Sequence, residues 1–369
     1  VTEKLNVFHI ALLIYMIELD ITIFSLSRVV AENIGTNGWV GVILLSAAAL
    51  VNIWMYRAVY VVGKGRSVHE IAETVVPRAL LIPCYMALSL FWIAVGALVG
   101  KNFITLYQML SFRSTSEIMI FLFYCVLIYC LLVKDLYSIV KATTVFFLIT
   151  FALNILAPYF SRDWSLTRFT TSFFQGTEKG HSLAGWTEVF IVNIGYELCM
   201  FLFPYVDRKS KLFKGVVAGH LLNTSVQLLV VFIAFGFFSF QQLQVMEYPV
   251  LNTLEYFEFP FINRIDNLIY CVFLFPNLVS SVMFCYAALA TMRRVFPKAK
   301  PKLLERGIAV VLFGAGCVSI ALNPFGNLLN NAYYLETILA FLIPALLIPA
   351  AYRMRRKERS AGHEESGSG

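Results

Sequence analysis

The chain has 369 residues, of which 59% are hydrophobic and only 14% charged, and its mean hydropathy is +0.75. Soluble domains carry about 25% charged residues, so this composition excludes an ordinary soluble enzyme or binding module and points to a multi-span membrane protein. The net charge of +7 then reports topology and contact with anionic lipid, not a nucleic-acid partner.

The first apolar stretch, Val7 to Val30, is long enough to cross a bilayer, which takes about 20 residues. It is also too long and continuous for a cleavable signal peptide. Glu18 and Asp20 sit near its middle. A carboxylate at that depth costs about 2.5–3.5 kcal/mol or more, so it faces a cavity or a partner and not lipid. Ten spans follow from the hydropathy pattern, over 8–32, 38–62, 78–110, 117–133, 137–159, 185–206, 214–240, 262–292, 306–323 and 329–352. Short turns such as Gly35-Thr36-Asn37-Gly38 and Asn323-Pro324-Phe325-Gly326 join them. No linker divides the chain. The expectation is one transmembrane domain over 1–359, with repeats at about 7–159 and 185–352 and a disordered polar tail at 360–369.

Charge placement fixes the orientation. With ten spans and a cytoplasmic N-terminus, 22 of the 29 lysines and arginines fall on inner segments. That asymmetry is the positive-inside rule and places both termini in the cytoplasm. Three connecting segments carry their own signals. Ser67-Val68-His69-Glu70 has the spacing of a capping box and predicts a short amphipathic helix at the inner interface. The outer segment Tyr159–Ala184, with Trp164, Phe169, Phe173 and Phe174, reads as a lid or docking element. A second outer segment, Gln241–Phe261, predicts a short helix over the site.

The site itself is predicted from symmetry. Many transporters consist of two five-span halves of opposite orientation, each opening with a helix broken at mid-membrane. Span one is interrupted by Glu18-Leu19-Asp20-Ile21-Thr22 and span six by Asn193-Ile194-Gly195-Tyr196-Glu197. Glu18, Asp20 and Glu197 are therefore candidates for an ion or proton pathway. Pro276, Asn277, Ser280 and Ser281 add a polar patch in span eight. Competing readings are structural: the acids bonded to lysines or helix ends, Gly195 permitting close packing, the serines bonded back to their own helix, and Lys141 snorkelling to the interface. The seven cysteines read as buried apolar residues without a CxxC pair, and the five histidines are scattered. No motif implies an enzyme, a cofactor or a metal.

Several strings resemble spore germination permeases, the B subunits of nutrient germinant receptors. They are Ser25-Leu26-Ser27-Arg28, Gly38-Trp39, Asn193-Ile194-Gly195-Tyr196-Glu197 through Phe203-Pro204, Tyr248-Pro249 through Asp266, and Phe341-Leu342-Ile343-Pro344. The resemblance covers nearly the whole chain in order. It implies an all-α integral membrane protein of the amino acid–polyamine–organocation superfamily, with the leucine-transporter-like 5+5 inverted repeat. It also implies a nutrient-sensing role in the spore inner membrane beside A and C subunits. Its ligand pocket would fall on Asp20, Ile21, Thr22, Ala94, Val95, Gly195, Tyr196 and Ser280, next to Glu197. Asp20 departs from the family's Gly-rich break. It would repel a substrate carboxylate and suits an ammonium or a cation. An amino-acid transporter or an ion-conducting subunit would use the same buried acids.

Overall fold

Two apolar stretches fail to continue as single helices, and these breaks organise the molecule. The computed structural model describes residues 5–111, 114–154, 164–177, 180–206, 211–256, 265–321 and 325–367. Residues 155–163 of the first segment expected to lie outside, the basic run 207–210, and 257–264, which hold Phe259 to Arg264 of the family-like signature, lie outside the described residues.

Among the described residues every regular element is a helix. Span one is α1 (Val7–Glu18) and α2 (Ile23–Asn33), bent by 63°. Next come α3 (Trp39–Val62), α4 (Val68–Glu73), α5 (Arg78–Leu110), α6 (Glu117–Leu132) and α7 (Leu136–Phe151). Span six is α8 (Leu183–Phe190), a short turn to Asn193, and a 3₁₀ segment Tyr196–Tyr205, bent by 40°. Then follow α9 (Leu212–Phe237), α10 (Phe240–Val245), α11 (Pro249–Tyr256), α12 (Ile265–Val295), α13 (Pro301–Ala321) and α14 (Phe325–Gly367). Among the described residues seven helices are long and apolar enough to cross a membrane, and the two bent pairs raise that to nine. The remaining expected span corresponds to α6, whose 16 residues extend only about 24 Å.

The polar tail at 360–369, expected to be disordered, instead continues α14 as helix as far as Gly367. The segment after α3, by contrast, matches its cap spacing. Ser67 accepts a hydrogen bond from the Glu70 amide at 3.2 Å and starts α4. The Trp164 indole donates to the Phe232 carbonyl at 2.9 Å, and Arg168 bonds the last turn of α9 at the Gly236 and Phe237 carbonyls.

Polarity is turned inward, as lipid as a solvent demands. Trp54, Leu148 and Val310 are exposed, whereas Glu18, Asn52, Asn193, Glu197, His220, Asn277 and Glu336 are buried. Close approach of the helices comes from glycine. A Cβ at Gly215 would lie 2.7 Å from the Val7 carbonyl oxygen, and one at Gly219 would run into that of Ala11. This Gly-x-x-x-Gly pair seats α9 on α1. Gly96 does the same between α5 and α12, where the Ser281 hydroxyl donates to the Gly96 carbonyl at 2.9 Å.

Candidate functional site

The break in span one is held open by three side chains. Asp20 folds back on its own chain, accepting from the Thr22 amide at 2.8 Å and from the Thr22 hydroxyl. This local turn satisfies an amide at the start of α2. The Tyr333 hydroxyl of α14 donates to the other Asp20 oxygen at 3.3 Å. Ser280 of α12 donates to the Ile17 carbonyl at 2.6 Å, satisfying an acceptor in the last turn of α1.

Span six breaks at Gly195, whose φ of +126° is a conformation that only glycine adopts without strain. Glu197 returns its Oε2 to the Gly195 amide at 2.8 Å. Gln227 of α9 donates to the Val192 carbonyl at 3.0 Å. The two breaks touch, since a Cβ on Gly195 would lie 2.5 Å from Ile17 Cγ2.

Glu18 ends α1 in a wholly buried network. Both its oxygens lie 3.1 Å from His220 Nδ1, and Asn223 Nδ2 donates to Oε2 at 3.1 Å. His220 Nε2 faces the Ser46 carbonyl at 3.2 Å and the Ser46 hydroxyl at 2.9 Å. A carbonyl only accepts, so Nε2 carries a proton, and a second proton lies between Nδ1 and Glu18. The dyad is neutral overall, which is how a charge is tolerated at this depth.

A cavity of about 240 Å³ lies beside both breaks. Ile21, Thr22, Ser25 and Arg28 of span one line it, with Glu188, Ile191 and Val192 of span six, Asn102 of α5, Tyr248, and Asn330 and Tyr333 of α14. Arg28 pairs with Glu32 at 2.8 Å, while its Nε is buried without a partner among the described residues. Glu188 accepts from Asn33 at 3.2 Å. The cavity thus carries one guanidinium and one carboxylate.

Of the residues singled out in the sequence, Ile21 and Thr22 line this cavity, and Asp20 meets it through Tyr333. Gly195 and Ser280 are engaged with Ile17, and Tyr196 and Glu197 are buried. Ala94 and Val95 lie on α5, half-buried and buried, and do not line this cavity. Sequence reasoning missed His220, Asn223 and Gln227, although their i, i+3, i+7 spacing on α9 forms one polar face. It also missed Arg28, Glu188 and Tyr333 as cavity residues. Glu336 was overlooked too, although it is the one charged residue between Leu328 and Tyr352.

The fold has a known counterpart. The chain is similar in fold to the manganese transporter of Eremococcus coleocola, crystallised with an aromatic bis-isothiourea substituted compound. The TM-score is 0.54 at 13% identity, covering 94% of this chain and 77% of that one. In sequence it is 20% identical over 285 residues to the spore germination protein GerQB of Bacillus cereus, covering 74% of this chain and 76% of that protein. A family model described as spore germination protein matches residues 4–323. With most of its length inside that match, this integral membrane chain belongs to the spore germination protein family.

Proposed function

We propose that the chain is the nutrient-sensing membrane subunit of a spore germinant receptor. In this reading its ten spans, with α6 as the short fourth, form a 5+5 inverted repeat of the leucine-transporter type within residues 1–359. Both termini are cytoplasmic, the host membrane is the spore inner membrane, and A and C subunits complete the receptor. The ligand is a small nutrient with the charges of an amino acid, and the chain is not an enzyme.

One observation carries the reading: a single cavity is lined by both broken spans. A ligand there contacts the two elements whose unwound backbone is easiest to rearrange. At about 240 Å³, the space falls below the roughly 300–1,000 Å³ of drug-sized sites. Arg28 supplies a partner for a carboxylate, and Glu188 one for an ammonium. The test is germination dose–response in spores carrying Arg28→Gln or Glu188→Gln, with abundance checked by immunoblot. The half-saturating nutrient concentration should rise at least about tenfold, the loss of about 1.4 kcal/mol. Unchanged curves at normal abundance refute the assignment.

A second reading, a proton- or cation-coupled amino-acid transporter or an ion-conducting subunit, draws on the buried Glu18–His220 dyad beside the breaks. Uptake of a radiolabelled amino acid into liposomes containing the chain separates transport from sensing.

A further inference from the structure

Apart from the nutrient cavity, buried polar atoms without partners gather around the break in span six. Among the described residues they include Asn193 Oδ1, Tyr196 Oη, Glu197 Oε1, Gln227 Oε1, Glu336 Oε2 and Trp92 Nε1. Acceptors dominate this set. The amide oxygens are correctly placed, because each amide nitrogen already donates to a carbonyl: Asn193 to Phe190, and Gln227 to Val192.

Glu197 and Glu336 stand at the centre. Both side chains are about 1% exposed. Glu197 gives Oε2 to the Gly195 amide, and its carboxyl meets that of Glu336 within side-chain hydrogen-bonding reach, with the Trp92 indole beside Glu336. Two carboxylates cannot bond each other. Two like charges in contact repel strongly in a buried, low-dielectric setting. One proton between them turns that repulsion into a hydrogen bond and satisfies both orphan oxygens.

We propose that Glu197 and Glu336 share a single proton, forming a buried proton-binding site that fastens broken span six to the last helix. Among the described residues the surroundings supply no competing cation. From α1 the facing group is Glu18, already matched by His220 of α9 at 3.1 Å. From α3 it is Tyr56, whose hydroxyl donates to the Ala340 carbonyl at 2.9 Å. Tyr196 and Cys199 belong to the 3₁₀ segment itself, and α5 presents the non-titrating Trp92. Loss of the proton would leave two like charges in contact and force α14 away from the 3₁₀ segment.

The inference stands independently of the nutrient reading and is tested without a nutrient. Infrared spectra of the full chain in lipid vesicles at pH 7 should contain a protonated-carboxyl carbonyl band, although ordinary glutamates, with pKa about 4.3, are ionised there. Glu197→Gln and Glu336→Gln should each remove it, because the new amide donates to the remaining carboxylate. Labelling glutamate with carbon-13 in the unaltered chain should shift the band and distinguish it from Asp20, a readout that needs no variant. A band that survives both substitutions, or that ignores the label, overturns the site. Loss in only one variant places the proton on that carboxyl alone and overturns the sharing.

Discussion

Gly195 lies directly against Ile17, so the breaks of spans one and six are one packed contact. A side chain at 195 meets two penalties. The backbone φ of +126° strains any residue with a Cβ, at about 1–3 kcal/mol. The 2.5 Å approach to Ile17 Cγ2 adds an overpacking cost of about 1–3 kcal/mol. Gly195→Leu is therefore expected to reduce the folded protein itself and not only its response. Gly195→Ala should lower thermal stability in detergent, and adding Ile17→Ala should restore the steric share alone. Wild-type abundance and melting of Gly195→Leu would refute this.

The Glu18–His220 dyad makes a separate prediction. Removing one partner strands the other in the interior, which typically costs about 3–5 kcal/mol. His220→Ala should be strongly destabilising. Glu18→Gln with His220→Asn should recover much of the loss, since neither residue then needs a counter-charge. A double-mutant cycle on detergent stability measures the coupling, and additive losses would mean that the two groups do not depend on each other.

What could be read in the sequence were features with local causes. Glu18 and Asp20 betrayed the first break because acids are rare in apolar runs, and Ser67 with Glu70 announced α4 through cap spacing alone. What could not be read were partnerships across long separations. Glu18 and His220 are 202 residues apart, and Asp20 and Tyr333 are 313 apart. Glu336 is as conspicuous an acid as Glu18, yet nothing local says that it meets Glu197. Likewise Ser280 looked free to bind a ligand, and only the packing of α12 on α1 commits its hydroxyl to Ile17.

At the short helix after α3, His69 should make α4 acid-sensitive. Its Nε2 lies 3.0 Å from the Thr291 hydroxyl, which itself donates to the Ala287 carbonyl, so Nε2 carries the proton of a neutral ring. Burial, assisted by the nearby Arg294 guanidinium, pushes His69 from the usual 6.5 down to about 4. The unfolded chain therefore binds the proton first. The stabilisation is complete above pH 6.5 and is lost as pH falls toward 4, to a limit of roughly 3 kcal/mol. Thermal melts in detergent across that window should show the decline, and His69→Gln should flatten it. An equally steep decline in the variant would assign the acid sensitivity to other groups.

The tether between α14 and the first break yields the last prediction. Tyr333 lines the cavity and donates to Asp20, which keeps its two bonds from Thr22 when that donor is removed. Tyr333→Phe leaves the ring packing in place and deletes one hydrogen bond, a change worth about 1 kcal/mol. Folding should survive, because Asp20 is not orphaned. If ligand affinity depends on the break being held in its present shape, the half-saturating nutrient concentration should rise roughly fivefold, the equivalent of that 1 kcal/mol. Abundance and the response to a nutrient sensed by another receptor in the same spores should stay unchanged. A curve that coincides with wild type would mean that the Asp20 turn, and not its link to α14, is what shapes the cavity.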